Sequence, residues 1–407
     1  MPETDVNALL RDISAIGRDA KRGGFSRHVF DDSDMQLREW FTEHSRRLGL
    51  DVEHDRNGNI WAWWGAPGDD AVVTGSHLDS VPGGGELDGP LGVASALAAV
   101  GRLQTDGWRP TRPFAVTMFA EEEGSRFGAA CLGSGLLAGS LDPARVAALT
   151  DRDGMTFAEA ASRIGLDPRH LGRDDAALRR IGAFVELHVE QGRALIDLGA
   201  GIGIGTSILA HGRWRFEFHG QGNHAGATRM ADRADPLVAA SRTAIAVRDI
   251  ARLRDRDAPS RCTVGRIEPV PGGTNVIASR VAMWLDLRGE GDADAKTLLD
   301  AASAAAQDAA AIEGCTVTII EESYSGRVDF SPELNERLRR SLGEGVPMLP
   351  TGAGHDAGVL SAKVPTAMLF VRNPTGVSHA PEETAEPADR TAGTLALARV
   401  LQDLDDA

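Results

Sequence analysis

Four short apolar runs, Ala71 to Thr74, Phe114 to Phe119, Ala183 to Leu187 and Thr366 to Val371, constrain the fold most strongly. Each is continuous rather than alternating, as expected of a strand with both faces buried. Helical stretches such as Gly92 to Leu103 and Pro387 to Leu404 lie near them. This alternation predicts an α/β fold, a mixed sheet sandwiched by helices. Ahead of it, Asp34 to Leu48 sets Leu37, Trp40, Phe41 and Leu48 at helical spacing, and the tight-turn signal Arg56-Asn57-Gly58-Asn59 leads into a strand from Ile60 to Trp64.

A different rhythm occupies residues 210–326. Arg213 to His219 alternates, Asp235-Pro236 opens a helix to about Arg252, and strands follow at Arg261 to Ile267 and Arg280 to Arg288. An Ala-rich helix from Ala293 to Ile312 and a strand from Cys315 to Glu321 complete a βαββαβ order. That order suits a small ferredoxin-like sheet with two helices on one face. With 407 residues there is room for two or three units of about 150 residues each. The expected division is a discontinuous catalytic domain, 1–209 with 327–407, and an inserted domain, 210–326.

Imidazoles and acids cluster where these strands end. His77 and Asp79 follow the first apolar run, Glu121, Glu122 and Glu123 the second, and His188 closes the third, while His379 lies a loop beyond the fourth. In open α/β sheets ligands bind at the carboxyl ends of strands, so four segments can deliver nitrogen and oxygen donors to one edge. Asp79 can hold the second ring nitrogen of His77, and Asp88, on a Gly-rich loop, can bridge two ions. Of adjacent Glu122 and Glu123, one suits a metal and the other the proton of an activated water. Three imidazoles with bridging and terminal carboxylates describe a two-metal hydrolase site. Taken singly, each element reads more simply as a surface histidine or a solvated helix start.

A net charge of −16 argues against nucleic acid and anionic membrane surfaces as partners. Cys131, Cys262 and Cys315 form neither a disulfide framework nor a Cys-x-x-Cys site. With no signal-like segment at Met1 to Val6 and no uninterrupted apolar run of eighteen residues, a cytoplasmic location is expected.

Seven motifs together resemble the dinuclear-metal amidohydrolases of the M20 peptidase clan, in the branch of N-carbamoyl-L-amino-acid hydrolases, allantoate amidohydrolases and β-ureidopropionases. They are Gly75-Ser-His-Leu-Asp-Ser-Val-Pro-Gly-Gly-Gly, Asp88-Gly, Glu122-Glu123-Gly-Ser-Arg-Phe, Glu186-Leu-His-Val-Glu-Gln-Gly, His224-Ala-Gly-Ala-Thr, Gly354-His-Asp-Ala and Gly376-Val-Ser-His-Ala-Pro-Glu-Glu. The resemblance implies one ion held by His77, Asp88 and His188, a second held by Asp88, Glu123 and His379, and Glu122 as general base. It also implies that residues 210–326 form a lid and homodimerisation domain, and that His224 reaches a neighbouring active site. Asn275 and Arg288 would grip the carboxylate of a small-molecule substrate, and Gln191 would line its cavity. Departures occur at Arg229, where many relatives have Pro, and at Leu87, where an aromatic residue often precedes the bridging Asp. Neither removes a ligand.

The expected reaction is hydrolysis of the carbamoyl C–N bond of allantoate or an N-carbamoyl amino acid, assisted by two divalent ions. Zn, Mn, Co and Ni all suit the ligand set. An aminoacylase or dipeptidase of the same clan is the alternative; a non-catalytic binding protein on this fold is a third reading, expected to lack Glu122 or a ligand. His355 and Asp356 read equally as a buried His beside a helix-capping Asp or as a substrate contact.

Overall fold

The computed structural model describes residues 5–406, so the first four residues of the acidic N-terminal segment lie outside the described residues. The chain divides into two compact units, one reaching to Ser207 and resuming at Asp329, the other spanning Ile208–Val328.

The first unit is built on a nine-stranded mixed sheet. Its strands are β1 (Asp51–His54), β2 (Ile60–Trp64), β3 (Ala71–His77), β4 (Phe114–Phe119), β5 (Ile181–Val189) and β6 (Ile202–Ile208). The second unit contributes β7 (Ala210–His219), β8 (Asn223–His224), β9 (Ser260–Val270), β10 (Val276–Ile277), β11 (Arg280–Gly289) and β12 (Thr316–Ser325). Then follow β13 (Val328–Asp329), β14 (Met348–Thr351) and β15 (Thr366–Val371). The large sheet runs β1-β2-β4-β3-β5-β15-β6-β13, with β14 beside β6. Its centre is parallel: β3 pairs with β4 and β5, and β5 with β15. Four carboxyl ends therefore emerge at one edge.

The helices Pro90–Thr105 and Pro387–Asp405 cover this sheet, and Val93, Leu97, Leu397 and Leu401 share a buried core with Val72, Val116, Val185 and Val371. Asp31 caps the helix Asp32–Arg47 by accepting the N–H groups of Ser33 and Asp34, so that helix begins two residues before the apolar spacing starts.

β3 runs three residues past its apolar stretch. Gly75 lets it: a Cβ there would lie 1.9 Å from the Thr117 carbonyl of β4. His77 is therefore the last residue of a strand, not the first of a loop. β6, β13 and β14 carry no continuous apolar run and were not visible in the sequence pattern.

The second unit is an antiparallel sheet in the order β12-β7-β11-β9, with the helices Pro236–Arg254 and Asp292–Ile312 packed on it. Trp214, Phe216, Phe218, Leu285 and Leu287 meet Val247, Ala302 and Ala306 in its core. Among the described residues, no helix is long and apolar enough to cross a membrane.

Candidate active site

β3, β5 and the segments after β3, β4 and β15 bring five donor residues together. His77, Asp88 and His188 form one group and Asp88, Glu123 and His379 another, with the donor atoms of each group within 4.8 Å of one another. Asp88 belongs to both. Its Oδ1 lies 3.2 Å from His188 Nε2 and 3.9 Å from His77 Nε2, while its Oδ2 lies 3.2 Å from His379 Nε2. Glu123 Oε2 stands 3.5 Å from the same His379 nitrogen.

The ring orientations are fixed from behind. His77 Nδ1 is 3.0 Å from the Asp79 carbonyl and His188 Nδ1 is 2.9 Å from the Val189 carbonyl. A carbonyl only accepts, so both Nδ1 atoms carry hydrogen, and each Nε2 is the ring atom turned to the site, able to ligate once any proton on it is displaced. These two Nε2 atoms, and Glu123 Oε1, are buried and make no hydrogen bond, with only carboxylate oxygens close to the two nitrogens. Such ring nitrogens beside carboxylates are what divalent cations require, so the donor set fits them. Gly89 makes room for the His77 ring: its φ is +87°, and a Cβ would lie 2.4 Å from His77 Cε1.

The carboxylate of Asp79 has a different task from its carbonyl. Oδ1 accepts the Glu122 N–H at 3.1 Å and Oδ2 the Glu123 N–H at 3.0 Å, clamping the turn that presents both acids. Glu121 has φ +53° and turns away, accepting the N–H groups of Arg126 and Phe127. Glu122 Oε2 lies 3.6 Å from His77 Nε2, and Cys131 donates its S–H to Glu122 Oε1 at 3.3 Å.

Burial, and then the crowding of like charges, governs the titration here. Burial foremost holds Glu122 well above the ordinary carboxylate range, with Glu123, Asp356 and Asp79 adding to it against His77. Glu123 is pushed up to about 7 by burial and by Asp88. Its hydrogen bond to Asp88 raises His379 to about 9. The neighbouring carboxylates of Glu122 and Asp79 hold His77 well above the imidazole range even though burial opposes them.

Gln191 donates to Asp88 Oδ2 at 2.9 Å, beside His379. His355 is buried, with its ring centroid 4.5 Å from that of His188 and its Nε2 unpartnered. Asp356 does not cap the short helix Asp356–Leu360; it accepts the Ser134 hydroxyl at 2.5 Å.

The remaining site residues named from the sequence are in the second unit. His224, on β8, pairs with Val276, and the Ala225 N–H donates to the Asn275 carbonyl, so His224 and Asn275 are neighbours. His224 Nδ1 accepts the N–H groups of Gly226 and Ala227, both at 3.1 Å. Arg288 is elsewhere. It faces His211 across the β11–β7 ladder, and its Nε donates to Asp286 at 3.0 Å, whereas the β8–β10 pair lies beyond the other end of β11, past Arg280. Eight residues of strand, roughly 25 Å, separate Arg288 from Arg280. Arg229 is exposed and paired with Asp232.

The family model for peptidase family M20/M25/M40 matches residues 73–403. The chain belongs to this family. It is a hydrolase of amide-type bonds. The M20 chain is 34% identical to an N-carbamoyl-L-amino acid amidohydrolase of Geobacillus stearothermophilus, covering 95% of each chain. It is 31% identical to the allantoate amidohydrolase of Escherichia coli K12, over 96% of this chain and 95% of that one. A solved hydantoinase/carbamoylase family amidase from Burkholderia multivorans superposes with a TM-score of 0.88 at 32% identity, covering 100% and 99% of the two chains. Among the motif residues that sequence reasoning left without a task is Glu383, which accepts the N–H groups of Leu87 and Asp88. Its only signal was its place in the His379 motif.

Proposed function

We propose that the protein hydrolyses the carbamoyl C–N bond of a ureido acid, allantoate or an N-carbamoyl-L-amino acid, releasing ammonia and carbon dioxide. The observation that carries this reading is the split of Asp88, one oxygen toward His77 and His188 and the other toward His379, with Glu122 alongside. His77, Asp88 and His188 would hold one divalent ion and Asp88, Glu123 and His379 the other; Zn, Mn, Co and Ni suit these donors. Such a pair supplies electrophilic activation of the carbonyl and lowers the pKa of water toward about 7.

Glu122 takes the proton of the attacking water and returns it to the departing nitrogen. Its buried, acid-crowded setting supports that task, because a carboxylate held above the ordinary range binds a proton more firmly than a solvated one. Asp79 keeps the Glu122 turn in place through the two backbone N–H groups it accepts. Gln191 lines the cavity beside Asp88. Arg288 offers a planar, bidentate donor for the substrate carboxylate, Asn275 adds a donor, and His224 stabilises the developing oxyanion.

The spacing along β11 supports a homodimer. One small substrate cannot span the strand between Arg288 and the His224–Asn275 pair, so the two sets serve one site only if they come from different copies. Residues 210–326 would then act as lid and dimerisation domain. The resemblance to N-carbamoyl and allantoate amidohydrolases supports a ureido substrate over the aminoacylase or dipeptidase alternative. The presence of Glu122 and all five ligands speaks against a non-catalytic protein.

Ammonia release from metal-reconstituted protein, measured across allantoate, several N-carbamoyl-L-amino acids, N-carbamoyl-β-alanine and N-acetyl amino acids, tests the reading. Turnover of the ureido compounds supports it. Hydrolysis confined to the N-acetyl compounds overturns it.

A further inference from the structure

We infer that Glu383 is a positioning residue that ties the two loop-borne ligands, Asp88 and His379, into one unit and so sets the affinity of the ion they share with Glu123. The inference rests on the two-ion reading above.

The ligands of the two ions are supported differently. His77 and His188 belong to β3 and β5, whose backbones are fixed by the sheet ladder. Asp88 and His379 sit on loops, and His379 has φ +57°, a left-handed conformation that a non-glycine residue keeps only where its surroundings enforce it.

Glu383 joins these loops across 295 residues of sequence. The residue is 4% exposed. Oε1 accepts the backbone N–H of Leu87 at 3.1 Å and of Asp88 at 2.9 Å. Oε2 accepts the hydroxyl of Ser378, the residue before His379, at 2.8 Å, and that hydroxyl oxygen is also 3.2 Å from Asp88 Oδ2. The Glu383 N–H donates to the Ala380 carbonyl, closing the turn after His379. The Gly-rich loop yields to it: a Cβ on Gly85 would lie 2.3 Å from Glu383 Oε1. One buried carboxylate thus holds the main chain of the bridging ligand with one oxygen and the loop of the terminal ligand with the other. Supports of this kind are typically worth about 10–100-fold in metal affinity.

The test is metal titration of full-length metal-free protein with Zn(II), ions counted by mass spectrometry and affinities read by chelator competition. Wild type, E383A, E383Q, S378A and H379A are compared, together with the E383A/H379A double variant. In E383A the ion held by Asp88, Glu123 and His379 should weaken by about 10–100-fold and the other by less, because it shares Asp88 but keeps His77 and His188 on their strands. S378A should weaken the same ion by less. E383Q should fall between wild type and E383A, because its amide oxygen still accepts from Leu87 and Asp88. Adding E383A to H379A should cost less than the two separate losses combined, since part of the Glu383 effect runs through His379 and part through Asp88. Equal weakening of both ions, accompanied by a lower melting temperature of the metal-free protein, marks a merely structural glutamate and overturns the inference, as do unchanged affinities. If E383A fails to fold, E383Q and S378A carry the same comparison. Wild type binding fewer than two ions overturns the two-ion reading itself, and the inference with it.

Discussion

Asp79 serves His77 and Glu122 at once: its carbonyl stands 3.0 Å from His77 Nδ1, and its carboxylate oxygen Oδ1, 3.5 Å from the same nitrogen, accepts the Glu122 backbone N–H at 3.1 Å. One residue therefore fixes a ligand ring and the neighbouring acids. Asp79→Ala removes both bonds to the Glu122–Glu123 turn but keeps the carbonyl. Turnover and metal affinity should each fall by about 10–100-fold, and Asp79→Asn should fall less, because its one amide oxygen still accepts. Steady-state ammonia release and metal titration of both variants check this; wild-type values in Asp79→Ala would contradict it.

Metal affinity should rise with pH. Glu123, raised to about 7, and His379, raised to about 9, hold protons in the metal-free protein that a cation must displace. Raising the pH removes those competitors, so affinity climbs most steeply below about 7, climbs more slowly between about 7 and about 9, and levels beyond. Each displaced proton contributes about tenfold per pH unit. Chelator-competition titrations at constant ionic strength measure the slope, and a flat profile would contradict the ligand assignment.

How much of this was legible in the sequence depended on whether a residue's task is local. The continuous runs at Phe114 to Phe119 and Thr366 to Val371 coincide with β4 and β15, because burial on both faces writes itself into consecutive residues. The gathering of His77, Glu123, His188 and His379 at one edge follows from parallel pairing of those strands. Glu383 was not legible, since its bonds to Leu87 and Asp88 span nearly three hundred residues and leave no periodic trace. The separation of Arg288 from Asn275 was hidden for the same reason: only the register of β11 against β7 reveals that they belong to opposite ends of a sheet.

Cations should stabilise the fold. His77 and His188 bury Nε2 atoms, and Glu123 an oxygen, that make no hydrogen bond, so the folded chain alone offers the assembled donors. Free metal at a hundred times the dissociation constant should add about 2.7 kcal/mol to stability for each ion bound. Thermal melts with and without a chelator should differ in wild type, and the difference should shrink in a His77→Ala, His188→Ala double variant, which loses two ligands of one ion. Identical melts of wild type under both conditions would contradict the metal centre.

If one active site draws Arg288 from one copy and His224 from another, two inactive variants should rescue each other. Equal mixing of His224→Ala and Arg288→Ala after subunit exchange should restore about a quarter of wild-type activity, because half the dimers are mixed and each mixed dimer has one intact site. Ammonia release before and after mixing decides it, and no recovery would contradict the shared site.

The central claim is that Glu122 moves the proton in hydrolysis of a ureido C–N bond, and the most direct measurement is ammonia release by Glu122→Gln loaded with metal. The variant should retain both ions and the wild-type melting temperature while kcat on the best ureido substrate falls by about 10²–10⁴-fold. Undiminished ammonia release with both ions bound would contradict the account.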